Sequence, residues 1–256
     1  MYICILKNKP IIAKDKLYIE EFKQHFKGIN TFKTADIANF YRSFEPDIKQ
    51  TTLNWRAYNL VEKGILERIG KGIFKIGINT IFIPNLDNKA KNIYKKIKSE
   101  FPFVDYCIWE TSIFNEFSLH HSNKHFILVE VEKESAESVF LSLKEKNNQV
   151  FFNPNLKILE QYIFNISQPI IVKLLISEAP LQKNKDYNTV TLEKILVDLF
   201  CEEDLFNFYQ GREKNTIFRT AYEKYTINNT KLLRYASRRG KKEGIENYIN
   251  QIIGKL

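Results

Sequence analysis

The sequence predicts a mixed α/β (α+β) fold: an N-terminal winged helix-turn-helix over residues 1–84, then an α/β domain over residues 85–256 with a helical C-terminal part. Three observations predict it. Residues 34–75 run as helix, turn, helix, glycine and a short hairpin centred on Gly70-Lys71-Gly72. From about residue 87 strand-like and helix-like periods alternate, the pattern of helices covering a mixed or mainly parallel sheet. From Thr191 onward only helical periods remain. The cluster at Pro84 to Asn88 is the natural boundary.

The elements follow in order. Residues 15–27 make a first helix, with Tyr18, Phe22 and Phe26 four apart on one face. The second helix, residues 34–44, takes Thr34 as N-cap and Asp36 in its first turn, and buries Ile37, Phe40, Tyr41 and Phe44. Pro46 breaks the chain. Asp47 to Gln50 is a capping-box variant opening a third helix over residues 48–63, and Gly64 supplies a left-handed stop. Two short runs around Gly70 and Gly72 then make the hairpin. Farther on, strands are expected at 103–109, 126–131, 150–152 and 170–176. Helices are expected at 87–98, 112–119, 135–145, 157–164, 191–201, 213–225 and from 229 to the end.

Composition narrows the function. With 44% hydrophobic residues, 20 Phe and 13 Tyr, the 256-residue chain is not disordered, and 9 Gly and 7 Pro with no internal period argue against a repeat fold. The net charge of +9 is uneven, since residues 1–85 hold 14 Lys/Arg against 8 Asp/Glu. Concentrated positive charge on a small domain suits a phosphate backbone, although a Lys-rich solubilising surface gives the same count. Cys4, Cys107 and Cys201 are odd in number and form no CxxC pair, which fits free thiols in a reducing cytoplasm. The apolar run 2–6 is too short for a signal-peptide core and no run approaches a membrane span, so a cytoplasmic location without membrane association is expected.

The third helix is the element expected to read DNA. On a 100° wheel Leu53, Ala57, Leu60 and Val61 share the inward face. Thr51, Trp55, Tyr58 and Asn59 face outward, flanked by Thr52, Asn54 and Arg56. Asn can contact adenine bidentately, Arg prefers guanine, and Thr offers a hydroxyl and a methyl. Lys49 and Gln50 lie at the helix N-terminus, where free N–H groups favour phosphate. Arg68, Lys71 and Lys75 place charge on the hairpin. A helix-turn-helix used only for protein contact, with Trp55 and Tyr58 covered by a neighbour, is the blander reading.

Chemistry is harder to find. His120, His121 and His125 lead straight into a strand and lack the glutamate expected between zinc-binding histidines, so surface histidines explain them better than a metal site. Asp105, Glu130 and Glu132 could hold magnesium in a nuclease, but the position two before Lys133 is Val131, and Glu130 and Glu132 are expected to alternate outward from a half-buried strand. No Gly-rich phosphate loop or nucleophile elbow is present. No catalytic group, metal or cofactor is expected, and the pattern fits a non-enzyme.

The C-terminal region carries a capped amphipathic helix with Leu192, Ile195, Leu196 and Leu199 on one side. Later, Arg234, Arg238, Arg239, Lys241 and Lys242 gather around Gly240. Charge–dipole attraction at a helix end explains some of them, and a second acidic or nucleic-acid partner surface explains the set.

The segment "NLVEKGILERIGKGIFKIG", with "VTLEKILVDLF" followed by "LLRYASRRGKKEGIENYI", resembles the AbiEi-type antitoxins of abortive-infection, type IV toxin–antitoxin systems. The resemblance rests on order and spacing, and in the middle third on element order alone. It implies a bacterial antitoxin and transcriptional regulator whose winged helix binds the double-stranded operator of its own promoter. Its C-terminal domain would counter a nucleotidyltransferase toxin, which in that family need not form a stable complex with it. Operator reading would fall on the third helix and hairpin, and antitoxin activity on the C-terminal domain, at the patch from Arg234 to Lys242. The extension before Asp15 departs from the family pattern. A metal-dependent nuclease with a winged-helix targeting domain and a plain regulator without a toxin are the rival expectations.

Overall fold

A computed structural model describes residues 17–78, 80–145 and 147–254, and shows a mixed α/β fold with three small sheets. Cys4 and the extension before Asp15 lie outside the described residues. The N-terminal part comprises α1 (Ile19–His25), β1 (Phe32–Lys33), α2 (Thr34–Phe44), α3 (Gln50–Glu62), β2 (Leu66–Gly70) and β3 (Ile73–Ile76). The strands form an antiparallel sheet in the order β1-β3-β2, with Phe32 opposite Phe74. Its core is aromatic: Phe22 and Phe26, one turn apart, are buried, and Phe26 stacks on Phe32 at 4.0 Å. Rings this size stabilise a small unit efficiently, at about 2–3 kcal/mol each.

Two sequence-predicted caps are corrected. α2 starts from Lys33, whose N–H donates to the Asp36 carboxylate at 2.7 Å, while Thr34 N–H instead joins Gly72 O at 3.0 Å. The hairpin competes for Thr34 and wins it. α3 starts from Lys49 with no side-chain cap, so Asp47 plays no capping part. Gly64 does end α3 with φ +68°.

The larger part contains α4 (Asn88–Glu100), β4 (Tyr106–Glu110), β5 (Ile127–Val131), α5 (Ala136–Lys144), β6 (Val150–Phe152), α6 (Leu156–Gln161), β7 (Ile170–Leu174), β8 (Leu181–Asn184) and β9 (Tyr187–Val190). It ends in α7 (Leu192–Cys201), α8 (Arg212–Lys224), α9 (Asn229–Arg238) and α10 (Lys242–Ile253). The main sheet runs β4-β5-β7-β6, with β4 antiparallel to β5 and the other pairs parallel. Residues 112–119, expected as a helix, form a 3₁₀ turn at Thr111–Glu116. The β8–β9 hairpin falls where no strand is expected.

Both faces of the sheet are covered. Ile108, Val129 and Val172 pack with α4 and α5, whereas Cys107, Trp109, Leu128 and Ile171 share a core with α7 to α10. The chain between the two parts is tied to the β8–β9 hairpin: Asn184 Nδ2 donates to Pro84 O at 2.9 Å, Leu86 N–H to Tyr187 Oη at 3.3 Å, and Gln182 Nε2 to Phe82 O at 3.0 Å. Among the described residues no helix is long and apolar enough to cross a membrane.

Candidate nucleic-acid interface

α3 lies on the N-terminal core through Leu53 and Leu60, and its opposite face is open. Trp55 is 53% and Tyr58 63% exposed, with Lys49, Gln50, Thr51 and Asn54 also exposed and Thr52 and Asn59 half-buried. Large apolar rings left in water on one helix face are informative where isolated ones are not. The polar members are partly committed. Gln50 Nε2 donates to Asn54 Oδ1 at 3.0 Å, and Asn59 Nδ2 to Trp55 O at 2.8 Å.

Arg56 is a correction. It is only 3% exposed, donates to Glu45 Oε1 at 2.7 Å, and lies 4.7 Å over the Tyr41 ring and 5.7 Å from the Tyr18 ring centre. Arg56 stands three residues after Leu53 and four before Leu60, which puts it on the buried stripe. Glu45, in the turn before α3, provides the charge that makes an inward guanidinium tolerable. Arg56 therefore holds α3 to α2 and does not reach a base. Arg56→Ala is expected to destabilise the chain by about 1–2 kcal/mol, through lost ion-pair, ring and packing contacts. Thermal melting would show the loss.

The hairpin is less cationic than its sequence suggests. Lys71 is exposed at the turn. Arg68 is half-buried over the Phe74 ring, its Nε donating to Gly70 O at 3.2 Å. Lys75 pairs with the buried Glu67 at 3.0 Å, which offsets the charge expected of it on the hairpin. Burial pushes the Glu67 carboxyl up, with Lys75 opposing.

The C-terminal cations divide. Arg234, Lys241 and Lys242 are exposed. Arg238 pairs with Glu178. Arg239 turns inward to Asp198 at 2.8 Å and Glu202 at 2.9 Å, so it cannot serve a partner surface. Both carboxylates hold the guanidinium charged despite its burial, raising its pKa.

Arg239 belongs to a buried chain of charges that the sequence reading missed. Lys194, fully buried, donates to Glu130 Oε1 at 2.6 Å and to Asp198 Oδ2 at 2.5 Å. Trp109 Nε1 donates to the same Glu130 oxygen at 2.7 Å, Tyr235 Oη donates to Asp198 at 2.9 Å, and Lys173 pairs with Glu202. Burial alone would push the Lys194 ammonium down, but Asp198 and Glu130 hold it well above its ordinary value. Burial likewise opposes the Asp198 charge, which Lys194, Lys173 and Arg239 keep below the usual carboxylate value. The signal was present: Lys194 and Asp198 are one turn apart in a helix whose remaining residues, Glu193 apart, are apolar.

This cluster overturns the expected outward position of Glu130, which is sealed between the sheet and α7. The candidate set Asp105, Glu130 and Glu132 is thereby split. Asp105 and Glu132 line a surface cavity of about 500 Å³ that Glu130 does not reach. His120 and His121 are exposed in a loop, and His125 Nε2 lies 2.6 Å from Gln168 Nε2. Among the described residues no three His, Cys, Asp or Glu side chains stand together as a metal-binding group.

α9 stands beside α3, a neighbour that nothing in the sequence indicates. Lys231 of α9 pairs with Glu62 of α3 at 3.2 Å, and Thr226, just before α9, donates through its hydroxyl to Gly64 O at 3.1 Å and through its N–H to Thr80 O at 2.9 Å. Asn54, Tyr58, Arg68 and Arg234 line one open cleft of about 490 Å³. The structure thus brings Arg234, assigned from sequence to a separate surface, next to the residues assigned to DNA.

No curated protein matches the chain significantly. A family model described as a family of unknown function, DUF6577, matches residues 52–255, taking in nearly all of α3, the hairpin and the whole larger part. The chain belongs to that family.

Proposed function

We propose that this chain is a cytoplasmic DNA-binding transcriptional repressor that also serves as the antitoxin of a type IV toxin–antitoxin system, countering a nucleotidyltransferase toxin. The observation that carries the DNA reading is the open outer face of α3, with Trp55 and Tyr58 exposed among Thr51, Asn54 and Gln50 beside the Lys71 turn. Three helices followed by a hairpin, with β1 closing the small sheet, suit a winged helix-turn-helix that lays its third helix in a major groove. The polar side chains on that face match base-edge chemistry, and Lys71 matches the flanking phosphates.

The antitoxin half rests on the resemblance of the α3–hairpin and α7, α9 and α10 segments to AbiEi-type proteins. With Arg239 committed internally and Arg238 tied to Glu178, the surface left to that role is Arg234, Lys241 and Lys242.

Titration of a labelled duplex across salt concentrations tests the DNA reading. Affinity should fall steeply with salt, and the pair Tyr58→Ala with Lys71→Ala should weaken binding about 10–100-fold. Salt-independent binding, or a double variant that binds like the parent, removes the reading. Co-expression with the product of an adjacent nucleotidyltransferase-like reading frame tests the second half: growth should be rescued by this chain and arrested without it.

A further inference from the structure

The cleft between α3 and α9 has walls of unlike composition. α3 contributes Asn54 and the exposed ring of Tyr58, the hairpin contributes Arg68, and α9 contributes Thr230, Lys231 and Arg234. Three cations thus face one carboxylate, Glu62, already paired with Lys231. Arg234 is exposed and, among the described residues, makes no hydrogen bond, ion pair or ring contact. The first turn of α9 lies at the same wall, its Lys231 N–H capped by Asn228 Oδ1, and the positive end of the helix dipole adds to the potential there.

A helix seated in the major groove has a sugar–phosphate backbone running along each side. On the α9 side of α3 that backbone would meet Arg234 and Lys231 on one wall and Arg68 on the other. A free guanidinium is the side chain best suited to a phosphate there.

We propose that the α3–α9 cleft clasps one sugar–phosphate strand of the duplex whose major groove receives α3, with Arg234 as a phosphate contact. This rests on the DNA-binding reading above and extends the interface from the N-terminal part onto the C-terminal helices. The family match spans both walls, so the cleft lies within the unit the family shares.

The test is fluorescence anisotropy of a labelled random-sequence duplex, and of one of its strands alone, with the full chain and three variants. Arg234→Ala should weaken duplex binding roughly 5–20-fold at low salt and reduce the slope of log K against log salt by about one. Arg234→Lys should keep the slope, and Lys71→Ala serves as the reference for a contact outside the cleft. If Arg234→Ala matches the parent while Lys71→Ala weakens binding, the clasp is wrong and the DNA reading stands. Tighter duplex binding by Arg234→Ala would show α9 to be an obstruction, and also overturns the clasp. Preference for the single strand, dependent on Arg234, would replace the duplex with an unpaired strand. Absence of salt-dependent binding by the parent overturns both readings together.

Discussion

Replacing Lys194 with Met is expected to cost about 3–5 kcal/mol of stability, because it strands the Glu130 carboxylate in the interior and leaves Asp198 with Arg239 as its remaining hydrogen-bonded cation. Lys194 is the only cation hydrogen-bonded to Glu130 among the described residues, and it shares Asp198 with Arg239. Methionine fills much of the space but neutralises nothing. Urea unfolding would show the loss as a lower midpoint with an unchanged slope.

The pH dependence has a definite sign. In the parent, the raised pKa of Lys194 means its stabilisation is complete below the ordinary lysine value and is lost only as pH rises through the higher folded value. The lowered pKa of Asp198 means its stabilisation is complete above the ordinary aspartate value and is lost as pH falls through the lower folded value. In the variant the stranded Glu130 carboxylate gains by protonation, so the gap between variant and parent should narrow on acidification. Adding Glu130→Gln, which keeps an acceptor for Trp109 Nε1 and removes a charge, should recover part of the loss. A Lys194→Met chain within about 1 kcal/mol of the parent would mean the cluster is hydrated and weak.

Gly77→Ala is expected to cost about 2–4 kcal/mol, since overpacking against backbone has no cheap relief. A Cβ there would lie 2.2 Å from Gly64 O and 2.9 Å from Thr226 Oγ1. Gly64 O is the atom that accepts the Thr226 hydroxyl, so the added methyl strikes the seam between α3 and the segment leading into α9. Gly77 N–H also donates to Ile65 O at 2.9 Å, which ties the glycine to the end of α3. Limited proteolysis should show earlier cleavage between Gly77 and Phe82, with melting of the N-terminal part separated from that of the remainder. A single transition at the parent's temperature would contradict this.

Much of the larger part was legible because its signals are local. The run Val150–Phe152 is a strand to the residue, and the 170s strand ends at Leu174, short of its expected end. The 103–109 strand starts late, at Tyr106, since Phe103 is almost wholly exposed. β8 and β9 were not legible: Lys183, Asn184, Lys185 and Asp186 have the composition of a loop, and Lys185 takes φ +52° to turn the hairpin. Charges were read less well than apolar residues. The wheel put Arg56 on the flank of the outer face, strand alternation sent Glu130 outward, and the clustered charge around Gly240 did the same for Arg239. Each is buried beside a partner, from 11 residues away for Arg56 to 64 for Glu130 and Lys194. The same distance in sequence concealed that Arg234 shares a cleft with Tyr58.

The stitching of residues 82–86 to the β8–β9 hairpin has a mechanical consequence. Thr80, held by Thr226, and Phe82, held by Gln182, follow Gly77 closely in the chain, so the leash on the front helices is short. Whatever displaces the helical trio at the front of the chain can tilt it, yet cannot let it drift away. Its local concentration against α9 therefore stays high, and the return stroke is fast compared with any encounter from bulk solution.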